Sequence, residues 1–319
     1  MKLALVLGAT GGLGSAVARR LAAGGWTVRA LHRHPESLGT AEPFEWVRGD
    51  AMVPADVARA AEGVPVIVHA VKPRLYRDWH DGVLPMIDNT IAAARGARIV
   101  VPGNVYNYGP DAGAEIGEEA PQHPETGKGR LRVEMERRIA DAVAAGKAKA
   151  LILRAGDFFG PGAGSSWFSE AMVTPGRRPR VIRNPGRPGV GHQWAYLPDL
   201  AETMVQLIEH DPLPDFARFH MDGHWDADGT QMAAAIVRVL GRPAVKVAPL
   251  PWWAVALAAP FKPDFRELLE LKYLWQRPVR LRNDRLLATL GREPHTPLDE
   301  AVRATLESIL PRPVAASSR

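Results

Sequence analysis

There is no cysteine among the 319 residues. That excludes a disulfide framework and a zinc–thiolate site. Long apolar runs are also missing. The longest beyond the opening strand, Trp252 to Phe261, is about half of the roughly 20 residues a membrane span requires. It reads as a buried cap helix or a dimer contact, with a touch on a membrane surface as the alternative. Leu3–Leu7 is too short for a signal-peptide core, and glycines interrupt it at once. Charge of one sign does not dominate either: 40 Lys and Arg face 35 Asp and Glu, a net +5. The arginines are not gathered into one helical stripe, so nucleic-acid binding has no motif behind it. His220, His224, Asp222, Asp226 and Asp228 have metal-like spacing, but they lie in a strand-into-turn stretch and no metal is expected. A soluble, cytoplasmic protein with no membrane or nucleic-acid partner is expected.

What is present begins at residue 3. The apolar run Leu3–Leu7 has the length of a buried strand, and Gly8, Gly11 and Gly14 follow it. A helical pattern opens immediately, with Val17, Leu21 and Ala22 apolar and Arg19 and Arg20 polar. Strand, glycine turn and helix N-terminus together form an anion site. Unpaired N–H groups and the helix dipole point at a phosphate, and glycine lets the backbone approach it. Gly8, Thr10, Gly11, Gly12, Leu13 and Gly14 are the residues expected to cradle a dinucleotide.

Strand-like and helix-like segments then alternate. Strands are predicted at Thr27–Leu31, Phe44–Val47, Val64–Val71, Arg98–Val101 and Ala150–Leu153, and helices at Pro54–Ala61, Asp81–Ala94 and Arg130–Ala145. This alternation implies a parallel sheet covered by helices on both faces. The pattern loosens after Gly156. Residues 175–191, rich in proline, glycine and arginine, are predicted as loop. Helices return at Leu197–His210 and Thr230–Leu240, and Pro311 to Arg319 reads as a frayed tail.

The end of the second strand bears on cofactor choice. A carboxylate there suits a bare ribose 2′-hydroxyl, and a cation suits a 2′-phosphate. The sequence is Ala30-Leu-His-Arg33-His34, with no carboxylate until Glu36. Arg33 can fork onto a phosphate, so NADP is preferred over NAD. Asp50 closes the third strand, where it can accept the adenine amino group or belong to the N-cap region of the next helix.

The ordered set of motifs resembles the extended, or atypical extended, short-chain dehydrogenase/reductase family, the NAD-dependent epimerase/dehydratases. The resemblance rests on Gly8-Ala-Thr-Gly-Gly-Leu-Gly14, Gly49-Asp50, Val68-His69-Ala70, Tyr108-Gly109-Pro110, Leu153-Arg-Ala-Gly-Asp-Phe-Phe-Gly-Pro-Gly162, Trp194-Ala-Tyr-Leu-Pro-Asp-Leu-Ala201 and Thr296-Pro-Leu-Asp-Glu-Ala301. It implies an α/β, Rossmann-type doubly wound parallel sheet over residues 1–160, with 192–210 returning to it. Residues 161–310 would be mainly a smaller substrate-binding region. It also implies that Asp50, Ala51, His69, Ala70, Val71, Arg132, Ala155, Asp157 and Phe158 line the cofactor. A small-molecule substrate and a homodimer are expected by the same analogy.

The family's usual serine, tyrosine and lysine are replaced. Alignment on Tyr108-Gly109 puts Asn104 at the serine, and alignment on Glu136 puts Lys128 and Arg132 at the tyrosine and lysine. Residues 126–136 contain no tyrosine. Asn104 can donate to a substrate carbonyl as an oxyanion donor. Arg132 can hold the ribose but cannot exchange protons. Proton transfer falls to Tyr106 or to Lys128. Lys128 would need its pKa brought from about 10.4 to roughly 7–8, a cost of about 3–4 kcal/mol. The same helix residues also fit a solvated face with i,i+4 ion pairs. Two functions follow: an NAD(P)-dependent oxidoreductase or epimerase-type enzyme acting on a carbonyl or secondary alcohol, or a cofactor-binding sensor or scaffold that has lost catalysis. Candidate substrate contacts are Lys72, Tyr76, Trp79, Tyr108, Trp167, His192 and Trp194, whose aromatics suit an apolar or ring-bearing ligand. Core packing is the alternative for each aromatic, and the resemblance implies that Tyr108 fills a Tyr-Gly slot where it packs without reacting. Arg177, Arg178, Arg180, Arg183 and Arg187 form either an anion clamp or a solvated basic loop.

Overall fold

The computed structural model describes residues 2–38, 42–73, 79–164 and 166–311. Tyr76 and most of the predicted tail lie outside them, as does the side chain of Trp79.

Seven parallel strands form the main sheet: β1 (Leu3–Leu7), β2 (Thr27–His32), β3 (Glu45–Arg48), β4 (Val66–His69), β5 (Arg98–Asn104), β6 (Lys149–Ala155) and β7 (Phe216–His220). Their order across the sheet is β3-β2-β1-β4-β5-β6-β7. The chain reverses direction beside β1, and the crevice there, at the carboxyl ends of β1 and β4, is where such sheets bind ligands. The strands read as continuous apolar runs because both faces are covered. Leu3, Leu5 and Leu7 point to one face with Val57, Ile67, Ile87, Ile99 and Ile139. Ala4 and Val6 point to the other with Val17, Leu21, Leu200 and Met204. Each such leucine, isoleucine or valine, buried fully, contributes about 1.5–3 kcal/mol.

The helices are α1 (Gly12–Ala23), α2 (Pro54–Ala60), α3 (Trp79–Ala94), α4 (Gly127–Ala144) and α5 (Leu197–Glu209). The predicted elements hold to within three residues at most ends. Helix α5 packs on α1, where Arg20 grips Glu202 through both oxygens. Strand β7, from the stretch assigned to the smaller region, completes the sheet beside β6.

A second core gathers Phe159, Phe168, Trp194, Ile236, Trp275, Leu281 and Val302. It includes α6 (Gln231–Leu240) and α10 (Leu298–Ile309), while α7 (Trp252–Ala258), α8 (Pro263–Glu270) and α9 (Asp284–Leu290) fall between them in the chain. Two expectations change here. Residues 175–191 are not all loop: Val181–Asn184 is a strand paired in parallel with Lys246–Pro249. Its alternating burial is a two-residue period that the flanking prolines and glycines conceal. Nor is the apolar segment from Trp252 buried throughout, because Trp253, Leu257 and Phe261 are 74%, 70% and 84% exposed.

One ion pair fastens the helix that carries the candidate catalytic residues. Arg154 on β6 is fully buried and meets both carboxylate oxygens of Glu136 on α4. Breaking a buried pair leaves an uncompensated charge. Glu136→Ala is therefore expected to lower unfolding free energy by about 3–5 kcal/mol, measured by urea denaturation. A loss within about 0.5 kcal/mol, ordinary for a surface site, would show that the pair does not hold α4.

Candidate functional site

Gly8 ends β1 with φ at +92°, a conformation that favours glycine. A Cβ there would meet the Ala70 carbonyl oxygen at 2.6 Å, and one on Gly14 would meet the Gly8 oxygen at 2.2 Å. These glycines thus let β1, the exit of β4 and α1 touch through their backbones. Gly12 makes a third approach, to the Gly162 oxygen at 2.3 Å. Gly11 is different. It is exposed, its added Cβ would find only the Gly8 oxygen at 3.3 Å, and it is the N-cap of α1 without a side-chain cap. With no acidic residue in the first turn, the N-terminus of α1 offers N–H groups and a positive dipole end to an anion. Thr10 is exposed beside it, whereas Leu13 is in the core and has only its backbone to offer. This cradle fits a dinucleotide diphosphate.

Arg33 is exposed at the end of β2. The nearest carboxylate, Glu36, lies 2.8 Å from Arg48 and 3.6 Å from His34. Asp50 is not the N-cap of α2, a position held by Val53. Its Oδ1 instead accepts from the Met52 N–H at 2.9 Å, and its own N–H donates to Asp56 at 2.9 Å. Ala51 is buried, and its carbonyl accepts from Asn89. Ala70 donates its N–H to the Leu7 carbonyl, next to half-buried Val71. The His69 ring turns away into the helix layer, 2.9 Å from the Thr90 hydroxyl oxygen, whose proton goes to the Met86 carbonyl. Burial first, and the Arg132 guanidinium second, push the His69 pKa down to about 3.

The chemical end of the crevice is built by two turns pressed together. Asn104, the last residue of β5, accepts the Tyr106 N–H on Oδ1 at 3.0 Å. That leaves its amide N–H₂ as the group it presents. Thr126 caps α4 by accepting the Gly129 N–H. Gly129 must be glycine, since its Cβ would meet the Tyr106 carbonyl oxygen at 2.3 Å. The first turn of α4 therefore sits on the Tyr106 turn, with Lys128 buried beside it and Arg132 one helical turn on. Lys72 stays open to solvent, yet crowding around its ammonium and then the Arg132 charge hold it below the lysine range, against the pull of Glu170. Arg132 is thus within electrostatic reach of both Lys72 and His69.

Beneath these turns the Tyr108 hydroxyl lies 3.0 Å from Arg154 and 3.1 Å from His220. Tyr108 is fully buried, with its pKa raised to about 12 by that burial. Its hydroxyl is thus taken up by this buried network, which suits a packing role in the Tyr-Gly slot. His220 likewise serves this network and a carbonyl, that of Ile116. On the far side, Asp157 meets His192 Nε2 at 2.9 Å, and the His192 ring stacks on Trp275 at 3.6 Å. Trp194 and Trp167 are buried against Trp275, so both are packing residues first. Ala155 is buried in the core, which Phe158 flanks.

Residues 4–217 match the model of the NAD dependent epimerase/dehydratase family. The chain belongs to this family. The solved structures of UDP-glucose 4-epimerase from Thermus thermophilus with NAD and from Bifidobacterium longum with NAD⁺ and UDP are similar in fold. Their identities are 18% and 15%, with TM-scores of 0.72 and 0.73, each covering 96% of this chain and 98% and 97% of theirs. UDP-glucuronic acid 4-epimerase from Bacillus cereus with NAD shares 15% identity at a TM-score of 0.73, covering 96% of both chains. No curated protein matches the chain by sequence.

Two features of this family member escape a reading of its sequence. The Asp157–His192 pair joins residues 35 positions apart, and Trp275, which stacks on it, lies far outside any motif. The Arg154–Glu136–Tyr108 network had only the motif positions of its members as a signal.

Because His69 is held neutral in the fold and charges near pH 6.5 when unfolded, it favours the fold above that pH. The contribution is lost as pH falls toward 3. His69→Phe is expected to flatten the stability-versus-pH curve between pH 6.5 and 4 by up to about 1.4 kcal/mol per unit. Chemical denaturation across that range checks this, and an unchanged slope would refute it.

Proposed function

We propose that the protein is a nicotinamide-dependent oxidoreductase or epimerase-type enzyme acting on a carbonyl or secondary alcohol of a small molecule, with NADP preferred over NAD. What carries this reading is the contact of Gly129 with the Tyr106 carbonyl. It supports the reading because the first turn of α4, which carries Lys128, is set against the Tyr106 turn that follows Asn104, in a chain whose glycine turn fits a dinucleotide diphosphate. The bound nicotinamide would supply or accept the hydride. Asn104 would donate its amide N–H to the substrate oxygen, where charge develops during hydride transfer. Tyr106 or Lys128 would give the proton to that oxygen or take it. Arg132 would hold the ribose and, with Lys72, keep the local potential positive. A positive surrounding favours loss of a proton from either candidate acid. The similar structures are named as UDP-glucose and UDP-glucuronic acid 4-epimerases and one holds UDP, which supports a nucleotide-linked sugar as one substrate class within this reading.

The NADP preference rests on exposed Arg33 and on the engagement of Glu36 by Arg48. A charge-assisted phosphate contact contributes about 1.5–3 kcal/mol. Arg33→Ala is thus expected to weaken NADPH binding roughly tenfold to a hundredfold and leave NADH nearly unchanged. Calorimetry with both cofactors measures this, and equal effects would remove the preference.

The missing tyrosine on α4 keeps the sensor or scaffold reading as the rival, and kinetics separate the two. If the site is catalytic, Tyr106→Phe or Lys128→Ala lowers kcat by about 10²–10⁴-fold. Asn104→Ala lowers it by about 10²–10³-fold. Cofactor binding without turnover on ketone, aldehyde and sugar-nucleotide panels would instead favour the sensor.

A further inference from the structure

The positive excess of this chain is not spread evenly. Residues 175–191 hold five arginines, and residues 240–262 hold Arg242, Lys246 and Lys262, with no carboxylate in either segment. These eight cations exceed the chain's net +5, so the remainder is net negative. All eight are exposed, and none makes an ion pair with a described residue.

The fold places the two segments side by side. Val181–Asn184 pairs with Lys246–Pro249, the Asn184 carbonyl accepts from Leu250, and the Pro185 carbonyl accepts from the Trp252 indole. Helix α7 therefore begins at the edge of this cationic strand pair. Its inner side carries Trp252, Val255 and Ala259. Trp253 and Leu257, four residues apart, share the outer side, and Phe261, in the turn just past the helix, is exposed as well. Of the eight large apolar side chains exposed among the described residues, five lie in these segments: those three, Val181 and Val247.

We infer that this face docks the protein on a membrane surface containing anionic phospholipid. Three side chains exposed by 70% or more protrude instead of lining a groove, which suits insertion among lipid headgroups. Aromatic side chains are favoured at that interface, and clustered Lys and Arg are drawn to its negative potential. A second copy of the chain is disfavoured here, because a symmetric contact would set this unpaired cationic surface against itself. Docking is peripheral. Among the described residues no helix is long and apolar enough to cross a membrane.

The test is co-sedimentation of the full chain with phosphatidylcholine vesicles and with vesicles of phosphatidylcholine and phosphatidylglycerol at about 3:1. Binding is expected to the anionic vesicles only, falling tenfold or more between about 0.05 and 0.5 M salt. The triple variant Trp253→Ser, Leu257→Ser, Phe261→Ser is expected to bind at least about tenfold more weakly while keeping its thermal melting point. Arg177→Glu with Arg178→Glu and Arg180→Glu should weaken binding comparably. No binding to anionic vesicles would overturn the inference, as would binding indifferent to the apolar variant. A serine variant that converts a dimer to monomer in sedimentation velocity, with vesicles bound by neither form, would assign the face to a second copy.

Discussion

The pairing of Arg154 with Glu136 fixes the geometry on which the candidate site depends. It joins the third turn of α4 to β6, and through Asn107 and Tyr108 it reaches the turn that follows β5. His220 on β7 adds a third strand. A guanidinium and a carboxylate taken out of water lose solvation comparable to their mutual attraction, and well-packed apolar residues of similar volume often do as well or better. The yield of the arrangement is position. Five donors in a rigid plane accept only one placement of their partners, whereas an apolar contact tolerates sliding. Lys128 and Arg132, about two turns and one turn before Glu136, are held by that placement. A register slip of α4 would misplace both relative to Asn104.

Close approach along the crevice is governed by absence of volume. Gly8, Gly14 and Gly129 each occupy a spot where a single methyl group would overlap a carbonyl oxygen. The first two bring a strand exit and a helix N-terminus together, and the third sets the reacting turn on α4. Helix α1 begins without a side-chain cap. Its N-terminal N–H groups then lack the partner that serine or aspartate supplies in most helices, a deficit that an anionic ligand makes good. The site combines a rigid charged clamp beneath one helix with an unsatisfied terminus on another.

Local signals made the sheet and the anion cradle readable in advance. A five-residue apolar run, glycines at 8, 11 and 14, and alternating strand and helix patterns each report on neighbours within about twenty residues. The signals that failed were long-range or masked. The strand at Val181–Asn184 depends on a partner more than sixty residues away, and proline and glycine on both sides hide its alternation. The Tyr-Gly motif suggested a packing role for Tyr108, but not its partners: its hydroxyl is satisfied by Arg154 and His220, residues that only the folded sheet brings near. For Trp167 and Trp194 residue type left substrate contact and core packing both open, and their burial against Trp275 was not legible locally.

The helix at Trp252–Ala258 shows why apolar composition alone does not settle burial. Its sequence is apolar on every side, so no periodicity marks which side faces the protein. Packing makes the distinction. Trp252 lies 5.9 Å from Trp167, Trp167 lies 5.1 Å from Trp275, and Trp275 stacks on His192 at 3.6 Å. This row of rings runs from the helix to the Asp157–His192 pair, and one side of a short helix is enough to complete it. The other side has no core left to enter, so Trp253 and Leu257 remain in water, beside cations that pair with no carboxylate among the described residues. Removing that apolar surface from water is favourable by about 25 cal/mol per Å². The adjacent unpaired charge rules out an apolar cavity as its destination, because an unpaired cation resists leaving water. A boundary that is apolar below and anionic above meets both requirements at once.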